Sequence, residues 1–414
     1  MIFRDALKSG KAVFWEYGCI LMAAFLFEGR VKMADFIFKI SPDIILGSYT
    51  VSRLGQYVQE FGQKFMVILD PILKEQGVSQ KIVQALENRG LNFFTFDEIP
   101  VAADTEVIKA ALTLARQAHV HGIIAAGGGK TLSIAKSVST LYNENRDLYY
   151  FADGEIPSAE PLPLICIPTT CRDNFIFTDK APMVDSRSSK LKLIKTNPRL
   201  CKLVVWDPNL TTSLTEKQVS AMALETLCLA TEAYLSPKST FFSDMLIEKS
   251  VQLLSYAIDG SQTLTVTTPQ EVLLAQGGCM ASLGAATASI GPATLLALTI
   301  NSRYKISRSL ISTIFFPYVI EDGVKYRSDK LAKISRLLGV ATSEEEDIKA
   351  ATMFADYIRQ HIARMNIPAR LKELSISIDK LSLAAEDAGD LEMINSLPRS
   401  MTSDDLFELI KQAY

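Results

Sequence analysis

Five consecutive residues carry the clearest chemistry in this chain: Gly127-Gly128-Gly129-Lys130-Thr131. They directly follow an apolar, strand-like run from Gly122 to Ala126 and open a helix-like run from Leu132 to Leu141. Glycines at such a junction let the main chain approach a diphosphate closely, and the unpaired N–H groups of a helix start favour negative charge. The spacing is not G-x-G-x-x-G. Nor is it a P-loop, because Ile124 stands where a P-loop ending in Gly129-Lys130-Thr131 needs its first glycine. The same residues also suit a bare strand-to-helix turn. Asp70 adds weight to the nucleotide reading: it ends the run Phe65 to Leu69, where an acidic side chain can accept a hydrogen bond from a ribose 2′-OH and would repel a 2′-phosphate. The cofactor expected on these grounds is NAD. Asp70 could equally be a turn or helix-cap residue before Pro71.

Metal-binding chemistry is poorly supplied. The only histidines are His119, His121 and His361. The first two precede the strand at Gly122, which puts them at the end of a parallel sheet opposite a ligand crevice. His361 lies on a late helix with no paired donor in view, and reads as a surface or core histidine. Six cysteines, at positions 19, 166, 171, 201, 228 and 279, form no C-x-x-C pair and fall mostly in apolar runs. They read as reduced thiols in a cytoplasmic protein, not as a zinc cluster.

The elements that must position these residues follow from patterning. With 48% hydrophobic and 21% charged residues over 414 positions, the chain buries a sizeable core and is neither disordered nor a disulfide scaffold. Lys and Arg number 43 against 46 Asp and Glu, leaving a net charge of −3 and no basic surplus for nucleic acid. Short β-branched runs at 44–46, 65–69, 93–96, 122–126 and 162–167 alternate with helix-like stretches near 50–61, 77–89, 104–119 and 130–143. That alternation implies βαβ crossovers and a mostly parallel sheet. Beyond Asp207-Pro208 the pattern becomes helical throughout, with loops near 237–241, 259–269 and 323–328. The expected organisation is a Rossmann-like α/β domain over 33–206 followed by an all-helical domain over 207–414. Residues 1–32 form an N-terminal extension whose apolar stretch, Gly18 to Phe27, is too short to span a membrane.

Together these segments resemble the iron-containing alcohol dehydrogenase superfamily, which includes glycerol dehydrogenases and dehydroquinate-synthase-like enzymes. Gly127 to Lys136, GGGKTLSIAK, is similar to the family's GGGSxxDxAK, and Ile167 to Thr170 reproduces its IPTT segment. Asp207-Pro208, Ala230 to Tyr234, Phe316 to Val319 and Ile367 to Leu371 look like further landmarks in the family order. The resemblance implies a Rossmann-like domain holding NAD(P), a helical domain, and a divalent metal in the cleft between them. It also implies that Thr169 and Thr170 belong with Gly127, Gly128, Gly129, Lys130, Thr131 and Asp70 at the cofactor.

The resemblance breaks at the metal. Where the family reads DAxxHAxEAY, this chain has Glu225 for the aspartate and Leu229 for the histidine. The family's HxxxHxxG run falls on Thr294 to Asn301, and its PHG histidine on Arg308. Leucine, threonine and arginine cannot provide the several donors at ~2.0–2.3 Å that iron or zinc needs, so no bound metal is expected. Ser133 replaces a family aspartate, and Cys171 to Ile176 replaces a small, polar loop that the family places beside the nicotinamide, with Phe175 and Ile176 expected to narrow or fill that pocket. Arg308, always charged and with five donors, could supply the positive charge with Glu225 as its ion-pair partner. The alternative is an idle buried pair left after metal loss.

The expected function is an NAD-linked oxidoreductase of this type, acting on a small alcohol, aldehyde or keto acid without bound metal. The competing expectation is a catalytically inactive nucleotide-binding or regulatory homologue. The partners expected are a small-molecule substrate and, for assembly, a second copy in a homodimer, with no nucleic acid and no membrane.

Overall fold

The computed structural model describes residues 41–99, 102–211, 215–259 and 268–414. The N-terminal extension and Cys19 lie outside the described residues. In chain order the strands are β1 (Asp43–Leu46), β2 (Lys64–Leu69), β3 (Asn92–Phe96), β4 (Gly122–Gly127), β5 (Leu164–Pro168), β6 (Lys180–Val184), β7 (Leu191–Lys195) and β8 (Cys201–Trp206). Helices in the first half are α1 (Leu54–Val58), α2 (Pro71–Glu75), α3 (Val78–Glu87), α4 (Thr105–Ala118), α5 (Gly129–Leu141) and α6 (Leu148–Ala152). The second half contributes α7 (Glu216–Leu235), α8 (Phe241–Asp259), α9 (Gln270–Thr287), α10 (Pro292–Tyr304), α11 (Arg308–Leu337), α12 (Asp347–Arg364), α13 (Ile378–Gly389) and α14 (Ser403–Ala413).

Six strands form one parallel sheet in the order β1-β8-β5-β4-β2-β3. Both faces are covered, so side chains of either parity are apolar. Met66, Ile68, Ile123, Ala125, Cys166 and Val204 pack on one face with α4 and α5. Phe65, Val67, Leu69, Ile124, Ile165 and Val205 pack on the other with α1 and α3. This is why the strands read as continuous apolar runs. No strand occurs after Trp206 among the described residues, and the helices that follow share a separate core built on α7, α10 and α11. The architecture is therefore a Rossmann-like α/β part followed by an all-helical part.

Three elements depart from the sequence reading. β6 and β7 form an antiparallel hairpin outside the main sheet; Pro182 and the half-buried lysines of this stretch mask its strand pattern. β8 joins the sheet between β1 and β5. The loop expected near 323–328 is helical, with a break at Arg327, whose φ of −143° interrupts α11 without ending it.

Candidate active site

The carboxyl ends of β2, β4 and β5 meet at the glycine turn. Asp70 N–H donates to the Ala126 carbonyl at 2.9 Å, and Thr169 N–H to the Gly127 carbonyl at 3.1 Å. Gly127 has φ 156°, and a Cβ there would sit 2.6 Å from Thr131 Oγ1 and 2.9 Å from Asp70 Cβ. Only glycine allows that approach. Asp70 caps α2 by accepting from Ile72 N–H at 3.4 Å, and accepts from the Thr131 hydroxyl at 3.3 Å. Its helix-cap reading is thus realised, and the bond to Thr131 ties it to the first turn of α5. Gly128 is the N-cap of α5 and offers no side-chain cap, leaving the first N–H groups of that helix for another acceptor.

Opposite this turn stands a cavity of about 650 Å³, lined on one wall by Gly128, Gly129, Lys130 and Thr170 and on the other by residues of α7 and the start of α11. Arg308, the first residue of α11, packs directly on Gly129: a Cβ added to Gly129 would collide with Arg308 Nη2 and come to 3.1 Å from Asp173 Oδ2. Arg308 also lines a smaller cavity of about 140 Å³ that includes Lys130, Ser133 and Asn301. Burial pushes the Arg308 guanidinium below its ordinary value, and the nearby Asp173 carboxylate partly restores it.

The structure corrects the expected partner of Glu225. Its carboxylate pairs with Arg172, not Arg308, and accepts a 2.5 Å hydrogen bond from the Ser309 hydroxyl. Arg172 is held in that pair with a side chain only 12% exposed. Burial, and then the neighbouring Arg308, push its guanidinium down to about 10. The Arg308 side chain forms no hydrogen bond or ion pair with any described residue. The role of Arg172 was not readable from the chain, since only the folded loop brings residue 172 against residue 225. Its sole signal was a large cation in a segment the resemblance makes small and polar.

The same loop also differs from expectation in its apolar residues. Phe175 and Ile176 do not line the cavity; they are buried in the helical core and the sheet core respectively. Lys136 fixes them in place, its Nζ donating to the carbonyls of Phe175, Thr178 and Lys180 at 2.5, 2.5 and 3.0 Å. Burial lowers that ammonium to about 8. Cys171 is buried beside Thr226, its thiol pushed up to about 11 by burial, which makes it a poor nucleophile.

The positions that the resemblance gives to metal ligands hold other chemistry. Leu229 is buried in the helical core. Thr294 is engaged by Glu232, which accepts from the Thr294 hydroxyl at 2.5 Å and from the Ala293 N–H at 2.6 Å at the start of α10. Among the described residues no group of three or more His, Cys, Asp and Glu side chains is placed to hold a metal ion. With Glu225 committed to Arg172 and Ser309, and two guanidinium groups beside it, the donor set does not fit a divalent cation. His121 lies at the amino end of β4, accepting from Gln63 N–H at 3.1 Å, as anticipated. His361 is not unpaired as expected: it is buried and lies 3.0 Å from Asp259 Oδ1.

Comparison with known proteins places this arrangement. The model of the iron-containing alcohol dehydrogenase matches residues 41–208, and that of the C-terminal part of the Fe-containing alcohol dehydrogenase family matches residues 220–414. The NAD-dependent methanol dehydrogenase of Bacillus methanolicus is 21% identical over 379 residues, covering 91% of this chain and 99% of the relative. The crystal structure of a 1,3-propanediol oxidoreductase superposes with a TM-score of 0.85 at 20% identity, covering 92% of this chain and 100% of the other. The sulfoacetaldehyde reductase of Bifidobacterium kashiwanohense, solved in complex with NAD+, gives a TM-score of 0.77 at 16% identity over 92% of this chain and 99% of its own.

Proposed function

The chain belongs to the iron-containing alcohol dehydrogenase family, and from that premise we propose that it is an NAD-linked oxidoreductase interconverting a small alcohol with its aldehyde or keto counterpart, without a bound metal. The observation that carries this reading is the cavity itself, about 650 Å³, lined together by the uncapped start of α5, by Lys130 and by Arg308, which packs on Gly129. The α5 start suits a dinucleotide diphosphate, with Gly127, Gly128, Gly129 and Lys130 forming the cradle. Thr131, Thr169, Thr170 and Asp70 complete the cofactor side in this proposal, and the NAD-dependent relative supports the choice of dinucleotide.

When bound, NADH supplies a hydride. The hydride adds to the carbonyl carbon, the C=O electron pair passes to oxygen, and a preorganised positive group lowers the cost of that negative charge until a proton from water completes the alcohol. We assign that stabilising part to Arg308, with Glu225 acting through Arg172 as a positioning residue. The five described cysteines, all buried and free, suit the reducing cytoplasm.

A second reading, a nucleotide-binding homologue without catalysis, is favoured by one observation: Leu229 and Thr294 are committed to packing and to Glu232. Fluorescence titration with NADH, followed by a search for NADH oxidation with small aldehydes and keto acids, decides between them. Saturable NADH binding with turnover is the expected result. Binding without turnover selects the second reading, and no binding at millimolar NADH contradicts both.

A further inference from the structure

The cleft is unusually positive for a chain of net charge −3. Lys130, Arg172, Lys217 and Arg308 line it, against the single carboxylate of Glu225. Glu225 is spent on Arg172, and among the described residues the side chains of Lys130, Lys217 and Arg308 have neither hydrogen-bond nor ion-pair partner. Two helix starts, those of α5 and α11, open on the same cavity, and neither carries a side-chain cap. Their exposed N–H groups add positive potential to that of the cations.

Arg308 is the most telling of these. A cation as the first residue of a helix opposes the helix dipole, so stability does not explain it. Its guanidinium is partly buried, makes no hydrogen bond or ion pair, has the Asp173 carboxylate near it but not paired with it, and is pressed against a glycine that leaves it room. Removing a guanidinium from water without a directly bonded counter-charge is costly, and such a group is satisfied when an anion arrives. A planar fork of donors suits an oxyanion in two-point contact.

We propose that this cleft recognises a substrate through an oxyanion, a carboxylate or phosphate group carried beside the reacting carbonyl, with Arg308 as the primary contact and Arg172, steadied by Glu225, as its neighbour. The inference rests on the preceding section only in taking this cleft for the substrate side of the site. The substrate class is therefore a small oxo or hydroxy acid, or its phosphate-bearing counterpart, and not a neutral alcohol.

Isothermal titration calorimetry on the full chain without cofactor tests this with acetate, pyruvate and inorganic phosphate, against acetone as the uncharged counterpart of pyruvate. At least one anion is expected to bind while acetone does not, and Arg308→Gln is expected to weaken that binding by about tenfold or more. Arg308→Lys, which keeps charge but not the fork, should fall between. Dependence on Arg308 for acetate or pyruvate identifies the carboxylate source; dependence for phosphate alone identifies the phosphate source. NADH affinity, read separately by fluorescence, is expected to fall less than the anion affinity in Arg308→Gln. Equal binding of every anion to wild type and Arg308→Gln overturns the proposal, as does a loss of NADH affinity as large as the loss for the anion, which would assign Arg308 to the cofactor diphosphate. Failure to bind NADH removes the dinucleotide reading and leaves the anion measurement standing. Thermal melting of both variants checks that the fold persists.

Discussion

Two buried carboxylates on α7 show how neighbours decide what the same group does. Glu225 faces Arg172 and Ser309, and so serves as a fixed counter-charge. Glu232, two turns on, has no cation against it. It accepts from the backbone and hydroxyl at the start of α10, but burial dominates and raises its carboxyl from 4.5 to about 7. Because the folded value is the higher one, the native state binds more protons than the unfolded chain between these two pH values, and stability falls as pH rises through that window. Wild type is expected to lose roughly 1–3 kcal/mol more stability than Glu232→Gln between about pH 5 and pH 7.5, read by urea denaturation at each pH. Parallel curves for the two proteins would contradict the assignment. The sequence made part of this scale legible. A glycine triplet between strand and helix announces its own geometry, and the replaced histidines are visible as letters. The pairing of Arg172 with Glu225 was not, because it depends on a loop whose path is set by Lys136 and by α9, both remote in sequence from residues 172 and 225.

Among elements, the loop after β5 is the piece that shapes the cleft. Its main chain lies against α9 so closely that a Cβ on Gly278 would overlap the Cys171 carbonyl. Asp173 N–H donates to Ser282 on the same helix at 3.0 Å. Gly278→Ala is therefore expected to destabilise the fold by about 2–4 kcal/mol in chemical denaturation, since neither backbone can yield cheaply; a change under about 0.5 kcal/mol would show the contact to be slack. The parallel strands were readable because burial on both faces makes them short, continuous apolar runs bounded by turns. The β6–β7 hairpin was not, since its alternating lysines and Pro182 imitate a loop, and α11 hid its continuity because the break at Arg327 has the composition of a linker.

At the scale of the whole molecule, the family fold is kept around a cleft lined by cationic side chains. The sheet still brings Asp70, Gly127 and Thr169 to one edge, and the helical half still presents α7 and α11 to it. To the cleft α11 delivers the Arg308 guanidinium and α7 delivers Lys217 and Glu225, while the surrounding cores stay apolar and closed. Sequence order alone conveyed the architecture, whereas the sign of the cleft emerged only once residues 130, 172, 217 and 308 were seen to converge. The most direct test is elemental analysis by inductively coupled plasma mass spectrometry of the purified full chain, loaded with excess iron or zinc and then dialysed. Metal far below one ion per chain, with NADH and anion binding unaffected by chelator, is the predicted result. One tightly retained iron or zinc per chain, lost together with ligand binding on chelation, would contradict an arginine-centred cleft.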